Sequence, residues 1–116
     1  MKILLVEDNY DTRTIFRLYF EMAGHICRAA SSGDEAISAA QEESFDTIIM
    51  DVEIPGVNGW DAVRQIRALP TCSTVPILMF TAYNHEEAQA LEAGANGFLR
   101  KPIAPQDLLA YLQQWN

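Results

Sequence analysis

Short apolar runs of strand length alternate with longer segments of helical periodicity along the whole chain. The strand-like runs cover residues 2–6, 25–30, 46–50, 75–80 and 97–100. The helical segments cover residues 9–23, 32–42, 60–69 and 84–94, and a last one begins at Pro105. This alternation is typical of repeated βα units, in which crossover helices connect the strands of a parallel sheet.

Cap residues mark where two of the helical segments begin. Ser32 with Glu35, and Asn84 with Glu87, have the spacing of a capping box. No linker, repeat or low-complexity stretch interrupts the pattern, so we expect residues 1–116 to form a single domain. The predicted fold class is α/β, a flavodoxin-like (βα)5 three-layer sandwich whose parallel five-stranded sheet has the order 2-1-3-4-5.

The spacing of apolar residues predicts which helix faces pack on the sheet. In the first helical segment, Ile15, Leu18, Tyr19 and Met22 recur at helical intervals and are expected to face inward. The same argument predicts further buried positions on the other helices, which are Val63, Ile66, Leu69, Leu108, Leu109 and Leu112. Met50 and Met79, on predicted strands, are expected to be packing residues.

The charge and cysteine content limit the classes of partner. The formal net charge is −8, which argues against direct nucleic acid binding, because phosphate contacts need Lys and Arg. That charge favours Mg²⁺ and proteins with basic surfaces. No apolar run approaches the roughly 18 residues of a membrane span. Cys27 and Cys72 have no metal-binding spacing and suit a reducing compartment, so we expect a cytoplasmic domain without membrane contact.

Charged and hydroxyl side chains stand at the carboxyl ends of four predicted strands. Glu7 and Asp8 follow the first strand, Asp51 the third, Thr81 the fourth and Lys101 the fifth. These strand ends meet at one edge of a parallel sheet, where α/β proteins bind ligands. Carboxylates crowded at that edge repel one another unless a cation offsets them or one takes up a proton.

The acidic residues at this edge predict a Mg²⁺ site. Asp8 and Asp51 are the candidate direct ligands, and Glu7 is long enough to act through a bound water. The backbone carbonyl of Glu53, two residues past Asp51, is a candidate neutral ligand. Taken alone, Glu7 and Asp8 also suit a helix start, because acidic side chains interact favourably with the helix dipole there.

The same edge is expected to handle a phosphoryl group. Asp51 is the candidate nucleophile, since a carboxylate can attack phosphorus and form an acyl phosphate. Lys101 would offset charge on the transferred group, and the Thr81 hydroxyl would donate a hydrogen bond to it. A covalent phosphate would then pull the loop after the fourth strand inward.

Five motifs, in order and spacing, resemble those of one protein family over the whole chain. The chain is similar to the receiver domain of bacterial-type two-component response regulators. The motifs are Leu5-Val6-Glu7-Asp8-Asn9, Met50-Asp51-Val52-Glu53-Ile54-Pro55-Gly56 followed by Gly59, Thr81-Ala82, Gly94-Ala95 with Gly97-Phe98, and Lys101-Pro102.

The resemblance implies that Asp51 accepts a phosphoryl group from a sensor histidine kinase or a histidine phosphotransfer protein. It implies that Glu7, Asp8 and Asp51 hold Mg²⁺ and that Lys101 contacts the phosphate. It further implies a signalling switch that catalyses its own phosphorylation and dephosphorylation, and not a metabolic enzyme.

The resemblance also identifies a coupled switch pair, Thr81 and Phe98, in which the hydroxyl moves to the phosphate and the ring turns inward. The bond before Pro102 matches one that is usually cis in the family. Glu53 adds an acid beside the phosphorylation site, where family members vary. We hypothesise that Glu53 and Tyr83 tune the rate of acyl phosphate hydrolysis.

Two other functions remain open from the residues. A Mg²⁺-dependent phosphohydrolase similar to haloacid dehalogenases would share the aspartyl phosphate chemistry, but it carries a second Asp where this chain has Glu53, and its nucleophile follows the first strand. A flavodoxin-type FMN carrier would need a phosphate loop after the first strand, where acidic residues 7–11 would repel phosphate.

We expect a receiver to pass on its signal by contacting another protein surface, which belongs to a downstream protein target or to a fused output domain. The face formed by the fourth helix, fifth strand and fifth helix is the candidate surface, with residues His85, Glu86, Gln89, Arg100 and Tyr111. The acidic character of this face favours a monomer, and a phosphorylation-dependent dimer is the alternative. Aromatic residues with weaker expectations are Trp115 (core), Trp60 (partly exposed) and Tyr10 (edge of the site).

Overall fold

A computed structural model describes residues 1–82 and 87–114. Strands and helices alternate through these residues as β1 (Lys2–Val6), α1 (Tyr10–Met22), β2 (Ile26–Ala30), α2 (Gly33–Glu42), β3 (Thr47–Asp51), α3 (Gly59–Arg67), a 3-10 turn (Pro70–Cys72), β4 (Ile77–Thr81), α4 (Glu87–Ala93), β5 (Gly97–Arg100) and α5 (Pro105–Gln113). The strands form one parallel sheet of order β2-β1-β3-β4-β5, which confirms the predicted flavodoxin-like topology. Within the described ranges, no helix combines the length and the apolar character needed to cross a membrane.

Side chains that alternate along the strands enter two separate cores. On one face of the sheet, Leu5 and Ile49 pack with residues of α1 and α5. On the other face, Val6 and Met50 pack beneath α2, α3 and α4. Successive strand residues point to opposite faces, and the central strands of a parallel sheet are buried on both. The helix layers therefore cover the central strands β1, β3 and β4, and leave the strand ends and parts of the outer strands β2 and β5 accessible.

The inner face of α1 differs from the predicted one. Phe16 and Phe20 are buried, whereas Ile15, Leu18 and Met22 are 57%, 48% and 87% exposed. Both sets of residues have helical spacing, so periodicity alone favours neither. The two aromatic rings occupy the face toward the sheet, where each buries a large apolar area against the core shared with α5. The prediction of inward positions was wrong for these three residues.

The remaining predicted core positions within the described residues are confirmed. Tyr19 and Leu69 are partly buried and pack against the two cores. The fully or nearly fully buried positions are Met50, Val63, Ile66, Met79, Leu108, Leu109 and Leu112. The Ser32 cap is also present, since its side chain accepts a hydrogen bond from the Glu35 backbone N–H.

Strand β4 begins at Ile77, two residues later than the sequence predicted. Pro76 lacks a backbone N–H and cannot donate to the sheet, although its carbonyl accepts from the Ile48 N–H at 2.9 Å. At the next helix, Asn84 of the predicted capping box lies outside the described residues. The described part of α4 begins at Glu87.

The side chain of Arg67, at the end of α3, connects three segments of the chain. Its Nη1 donates to the carbonyl oxygens of Cys72 at 2.9 Å and Val75 at 2.5 Å. Its Nη2 donates to the Gly94 carbonyl and to Asn96 Oδ1, both at 2.8 Å. One guanidinium thus holds two segments against α3, namely the residues that precede β4 and the connection between α4 and β5.

Candidate functional site

The strand ends bring the predicted site residues to one edge of the sheet. Glu7 directly follows β1, Asp51 ends β3, Thr81 ends β4 and Lys101 directly follows β5. The four strands pair side by side in parallel, so their carboxyl ends lie level with one another. Residues that are far apart in sequence therefore share one small region.

Three carboxylates form the centre of this region. One carboxylate oxygen from each of Glu7, Asp8 and Asp51 lies within 4.8 Å of the other two. Glu7 and Asp51 are buried, and Asp8 is exposed. The Nζ of Lys101 lies 2.7 Å from Glu7 Oε1 and 2.7 Å from Asp51 Oδ2. The two buried acids thus share one ammonium group, which is the kind of pairing that buried charges require.

Burial and the proximity of charged neighbours shift the pKa values of Glu7, Asp8 and Lys101. Burial, together with the neighbouring Asp51, raises the pKa of the Glu7 carboxyl. Burial and the proximity of Glu7 raise the pKa of Asp8. Burial by itself would lower the pKa of Lys101, but its hydrogen bonds to Asp51 and Glu7 outweigh that effect and raise it. The acids carry more negative charge than Lys101 offsets, so a further cation is electrostatically favourable here.

The donor set of this cluster fits Mg²⁺. Mg²⁺ prefers hard oxygen ligands and takes a few carboxylates, with waters and phosphate oxygens completing its octahedron. Glu7, Asp8 and Asp51 supply such oxygens within a short distance of one another. They would hold the ion, and its charge would relieve their repulsion. The proposed role of the Glu53 backbone carbonyl as a further ligand stays a prediction.

The loop after β3 holds Asp51 in a defined position. Asp51 Oδ1 accepts the Glu53 backbone N–H at 3.0 Å. Asn58 caps α3 by accepting the Asp61 N–H, also at 3.0 Å. The backbone of Gly59 approaches β3 so closely that a Cβ there would lie 2.6 Å from the Asp51 carbonyl oxygen. Any larger residue would push the start of α3 away from the end of β3.

Thr81 and Glu53 are in direct contact. The Thr81 side chain is fully buried, and its Oγ1 lies 2.6 Å from each carboxylate oxygen of Glu53, to which it donates. The sequence places both residues near the phosphoryl position but carries no signal for the bond between them. They are 28 positions apart, and the contact depends on the direction of the Glu53 side chain in the loop.

Phe98 lies on β5, two residues before the strand ends at the edge that carries the site. It pairs with Met79, which precedes Thr81 by two residues on β4. Its ring is partly buried against the core beneath α2, α3 and α4, and the Arg100 guanidinium carbon lies 5.6 Å from the ring centroid. The peptide bond between Lys101 and Pro102 is cis, as the resemblance implied.

Arg13 is a further residue of the site, which the motifs in the sequence do not include. Its Nη1 donates to the carbonyl oxygen of Glu7 at 2.9 Å and to that of Asp8 at 3.2 Å. The same loop is fixed from its other end, because Asn9 Oδ1 accepts the Thr12 N–H at 2.9 Å and caps α1. One feature of the sequence could have indicated this role, because Arg13 is a basic residue in the first turn of the helix that follows Glu7 and Asp8.

Other residues with predicted roles are not part of the acidic cluster itself. Trp60 is partly exposed, as expected, and Tyr10 is exposed with its ring 5.5 Å from the Arg13 guanidinium carbon. On the predicted partner surface, Gln89 and Arg100 are exposed and Tyr111 is partly buried. Residues with predicted roles that fall outside the described ranges are Tyr83, His85, Glu86 and Trp115.

Comparisons with known proteins agree with this geometry. Chemotaxis protein CheY4 of Vibrio cholerae has a TM-score of 0.93 and 34% identity to this chain, covering 99% of it and 98% of CheY4. The receiver domain of sensor histidine kinase PA1611 from Pseudomonas aeruginosa, solved with a magnesium ion in its active site cleft, has a TM-score of 0.90 and 34% identity, covering 98% of this chain and 95% of that one.

Curated relatives are similar over the same residues. Transcriptional regulatory protein ResD of Bacillus subtilis is 36% identical over 110 residues, which is 93% of this chain and 45% of ResD. The chain thus spans about half the length of the transcriptional regulators that it matches. The family model described as the response regulator receiver domain matches residues 3–113. With this match and the sheet order already described, the chain belongs to the response regulator receiver family and is a receiver domain of two-component signalling.

Proposed function

We propose that Asp51 accepts a phosphoryl group from a phosphohistidine, and that this transfer changes the surface around Thr81 and Phe98. The observation that carries the proposal is the environment of Asp51. It is a buried carboxylate 2.7 Å from the Lys101 ammonium, within an acidic group that fits Mg²⁺. The donor is a sensor histidine kinase or a histidine phosphotransfer protein, as for the family to which the chain belongs.

In the proposed transfer, a carboxylate oxygen of Asp51 attacks phosphorus. A P–O bond forms, the P–N bond to the donor imidazole breaks, and the imidazole nitrogen retains the electron pair. Lys101, already bonded to Asp51 Oδ2, is positioned to donate to a phosphoryl oxygen. Bound Mg²⁺ would supply additional charge stabilisation of the phosphoryl oxygens. Attack of water on the acyl phosphate would release inorganic phosphate and reset the domain.

The proposed switch follows from the charge that the phosphoryl group adds. Thr81 ends the strand next to that of Asp51, so its hydroxyl is close enough to reach a phosphoryl oxygen after a small movement of the chain. Phe98, partly buried on the adjacent strand, would turn further inward as Thr81 moves. New charge and strong acceptors at a loop are a common origin of such movements.

A groove beside Lys101 supports docking of the phosphoryl donor. It has a volume of about 450 Å³, and its lining residues other than Lys101 are Thr12, Phe16, Phe80, Ala82, Pro102 and Ile103. The lining is mostly apolar and lies next to the acidic centre. An apolar side chain from the donor could enter it and orient the phosphohistidine toward Asp51.

The proposed output is protein contact in the cytoplasm. Curated relatives include transcriptional regulators about twice the length of this chain, which suggests a fused output domain, and CheY4 suggests a separate protein target. The net charge of −8 supports protein recognition over direct nucleic acid binding by this domain. The oligomeric state proposed is a monomer, with a phosphorylation-dependent dimer as the alternative.

Incubation with acetyl phosphate or beryllofluoride, with and without Mg²⁺, tests the proposal. With acetyl phosphate we expect intact mass to show one added phosphoryl group. With either reagent we expect NMR to show Mg²⁺-dependent shifts at Thr81 and Ala82. Asp51→Asn is expected to abolish both, and Asp61→Asn, on the exposed surface of α3, is the matched control. Absence of any response in the wild type, or a full response in Asp51→Asn, would overturn the proposal.

A further inference from the structure

We infer that Glu53 holds Thr81 away from Asp51 in the unphosphorylated domain and competes with the phosphoryl group for the Thr81 hydroxyl. The inference rests on the proposed phosphorylation of Asp51. It assigns Glu53 a role as a positioning residue that sets the threshold of the switch.

The geometry that supports this role is a direct hydrogen bond at a buried position. Thr81 is 0% exposed, and its Oγ1 lies 2.6 Å from both carboxylate oxygens of Glu53. A hydroxyl donating to a carboxylate makes a charge-assisted bond, which is stronger than one between neutral groups. Because Thr81 is fully buried, this bond is stronger than one exposed to water and favours one position of the β4 end over others.

Glu53 also contacts Asp51 through its backbone. Its N–H donates to Asp51 Oδ1 at 3.0 Å, so one residue touches both the proposed phosphate acceptor and the proposed sensor of the phosphate. The backbone contact keeps the Glu53 carboxylate near any group attached to Asp51. A phosphoryl group there would repel that carboxylate, because both are anionic.

The competition follows from the chemistry of the hydroxyl. A hydroxyl has one proton to donate, so Thr81 cannot fully donate to Glu53 and to a phosphoryl oxygen at the same time. Phosphorylation therefore replaces one charge-assisted hydrogen bond by another. Only the difference in free energy between these two bonds drives the switch. Removal of the Glu53 carboxylate should favour the phosphate-engaged state by about tenfold, the size expected for one such bond.

A double-mutant cycle separates this hydrogen bond from simple charge repulsion. Beryllofluoride is titrated in the presence of Mg²⁺, and the midpoint is read from the NMR signals of Ala82 and Lys101. The proteins are wild type, Glu53→Ala, Thr81→Val and the double variant, with Glu42→Ala, an exposed carboxylate at the end of α2, as the control for net charge. Thr81→Ala replaces Thr81→Val if the latter does not fold.

The expected result is a non-additive cycle. Glu53→Ala should lower the midpoint about tenfold more in the Thr81 background than in the Thr81→Val background, because only the former contains the competing bond. Glu42→Ala should leave the midpoint unchanged. Equal effects of Glu53→Ala in the two backgrounds would mean that Glu53 acts through charge alone, and would overturn the inference.

A second readout does not depend on phosphorylation. In the absence of beryllofluoride, the Thr81 methyl resonance should shift in Glu53→Ala and stay in place in Glu42→Ala, because only the former frees the hydroxyl from the carboxylate. A Thr81 methyl that is unaffected by Glu53→Ala would contradict the inference even if beryllofluoride binds. Failure of the wild type to bind beryllofluoride while the methyl shift occurs would instead identify the phosphorylation proposal as the one that fails.

Discussion

The Arg13 guanidinium lies 2.9 Å from the carbonyl oxygen of Glu7 and holds the acidic loop against the first turn of α1. The same Nη1 donates to the Asp8 carbonyl, so consecutive peptide groups of the loop share one donor. Arg13 contacts the backbone of two proposed metal-holding residues without supplying a ligand itself. Such contacts orient ligands and affect metal affinity indirectly.

Arg13→Ala is expected to weaken Mg²⁺ binding about tenfold, since loss of a supporting contact of this kind typically has an effect of that order. Arg17→Ala is the matched control, because Arg17 forms an exposed ion pair with Glu21 on the same helix. Mg²⁺ affinity is measured by calorimetric titration of each variant. Equal affinities for Arg13→Ala and wild type would show that the loop keeps its shape without the guanidinium.

Without Mg²⁺, Glu7→Gln is expected to stabilise the domain at neutral pH by on the order of 1 kcal/mol, since close carboxylates repel and Lys101 offsets only part of the charge. The pKa of Glu7 is raised above its ordinary value of 4.5 in the folded state. Its contribution to stability is therefore complete below that value and is lost as the pH rises through the raised pKa.

The measurement is the free energy of unfolding in urea across pH 4 to 8 with EDTA present. The free energy of unfolding of wild type minus that of Glu7→Gln should fall as the pH rises above 4.5, because other titrating groups, such as His25, are common to both proteins. Glu42→Gln, at an exposed position, should follow the wild-type profile. Parallel profiles for Glu7→Gln and wild type would contradict the electrostatic account of the site.

Arg67→Ala is expected to lower the free energy of unfolding by about 3 kcal/mol, because several partly buried acceptors lose a charged donor at once. These acceptors include the carbonyl oxygens of Cys72 and Gly94. Arg64→Ala removes only an exposed pair with Asp61 and should change stability by about 0.5 kcal/mol or less. Urea unfolding of both variants makes the comparison, and a similar small loss for the two would refute the structural role of Arg67.

Phe20→Ala is expected to destabilise the domain by about 3–5 kcal/mol, the usual range for removing a buried aromatic ring. Met22→Ala, two residues later on the exposed side of α1, should change stability by about 0.5 kcal/mol or less. Thermal and urea unfolding measure both. The reverse order of effects would mean that α1 packs on the sheet through the face that its aliphatic residues predict.

The assignment to the receiver family also decides between the functions that the residues left open. A phosphohydrolase similar to haloacid dehalogenases and an FMN carrier both require features at the end of β1. In this chain that position holds Glu7 and Asp8, while the proposed nucleophile, Asp51, ends β3. The matched family favours phosphorylation-dependent signalling, whereas flavodoxins share this order of strands and the order alone does not separate the two.

The sequence alone determined the topology and the location of the site. Alternating apolar runs and amphipathic segments allow few arrangements, because strands buried on both faces need helices above and below them. In a parallel sheet the strand ends necessarily meet, so Glu7, Asp51, Thr81 and Lys101 could be brought together before any side chain was located.

Only the tertiary structure decided which face of α1 is buried and which polar groups bond to each other. Two sets of residues on α1 have the same period, and the rotation of the helix depends on how well Phe16 and Phe20 fill the space above the sheet. The contacts of Arg13, Glu53 and Arg67 depend on loop geometry and side-chain direction. Those properties arise from packing between distant segments, for which the local sequence carries no periodic signal.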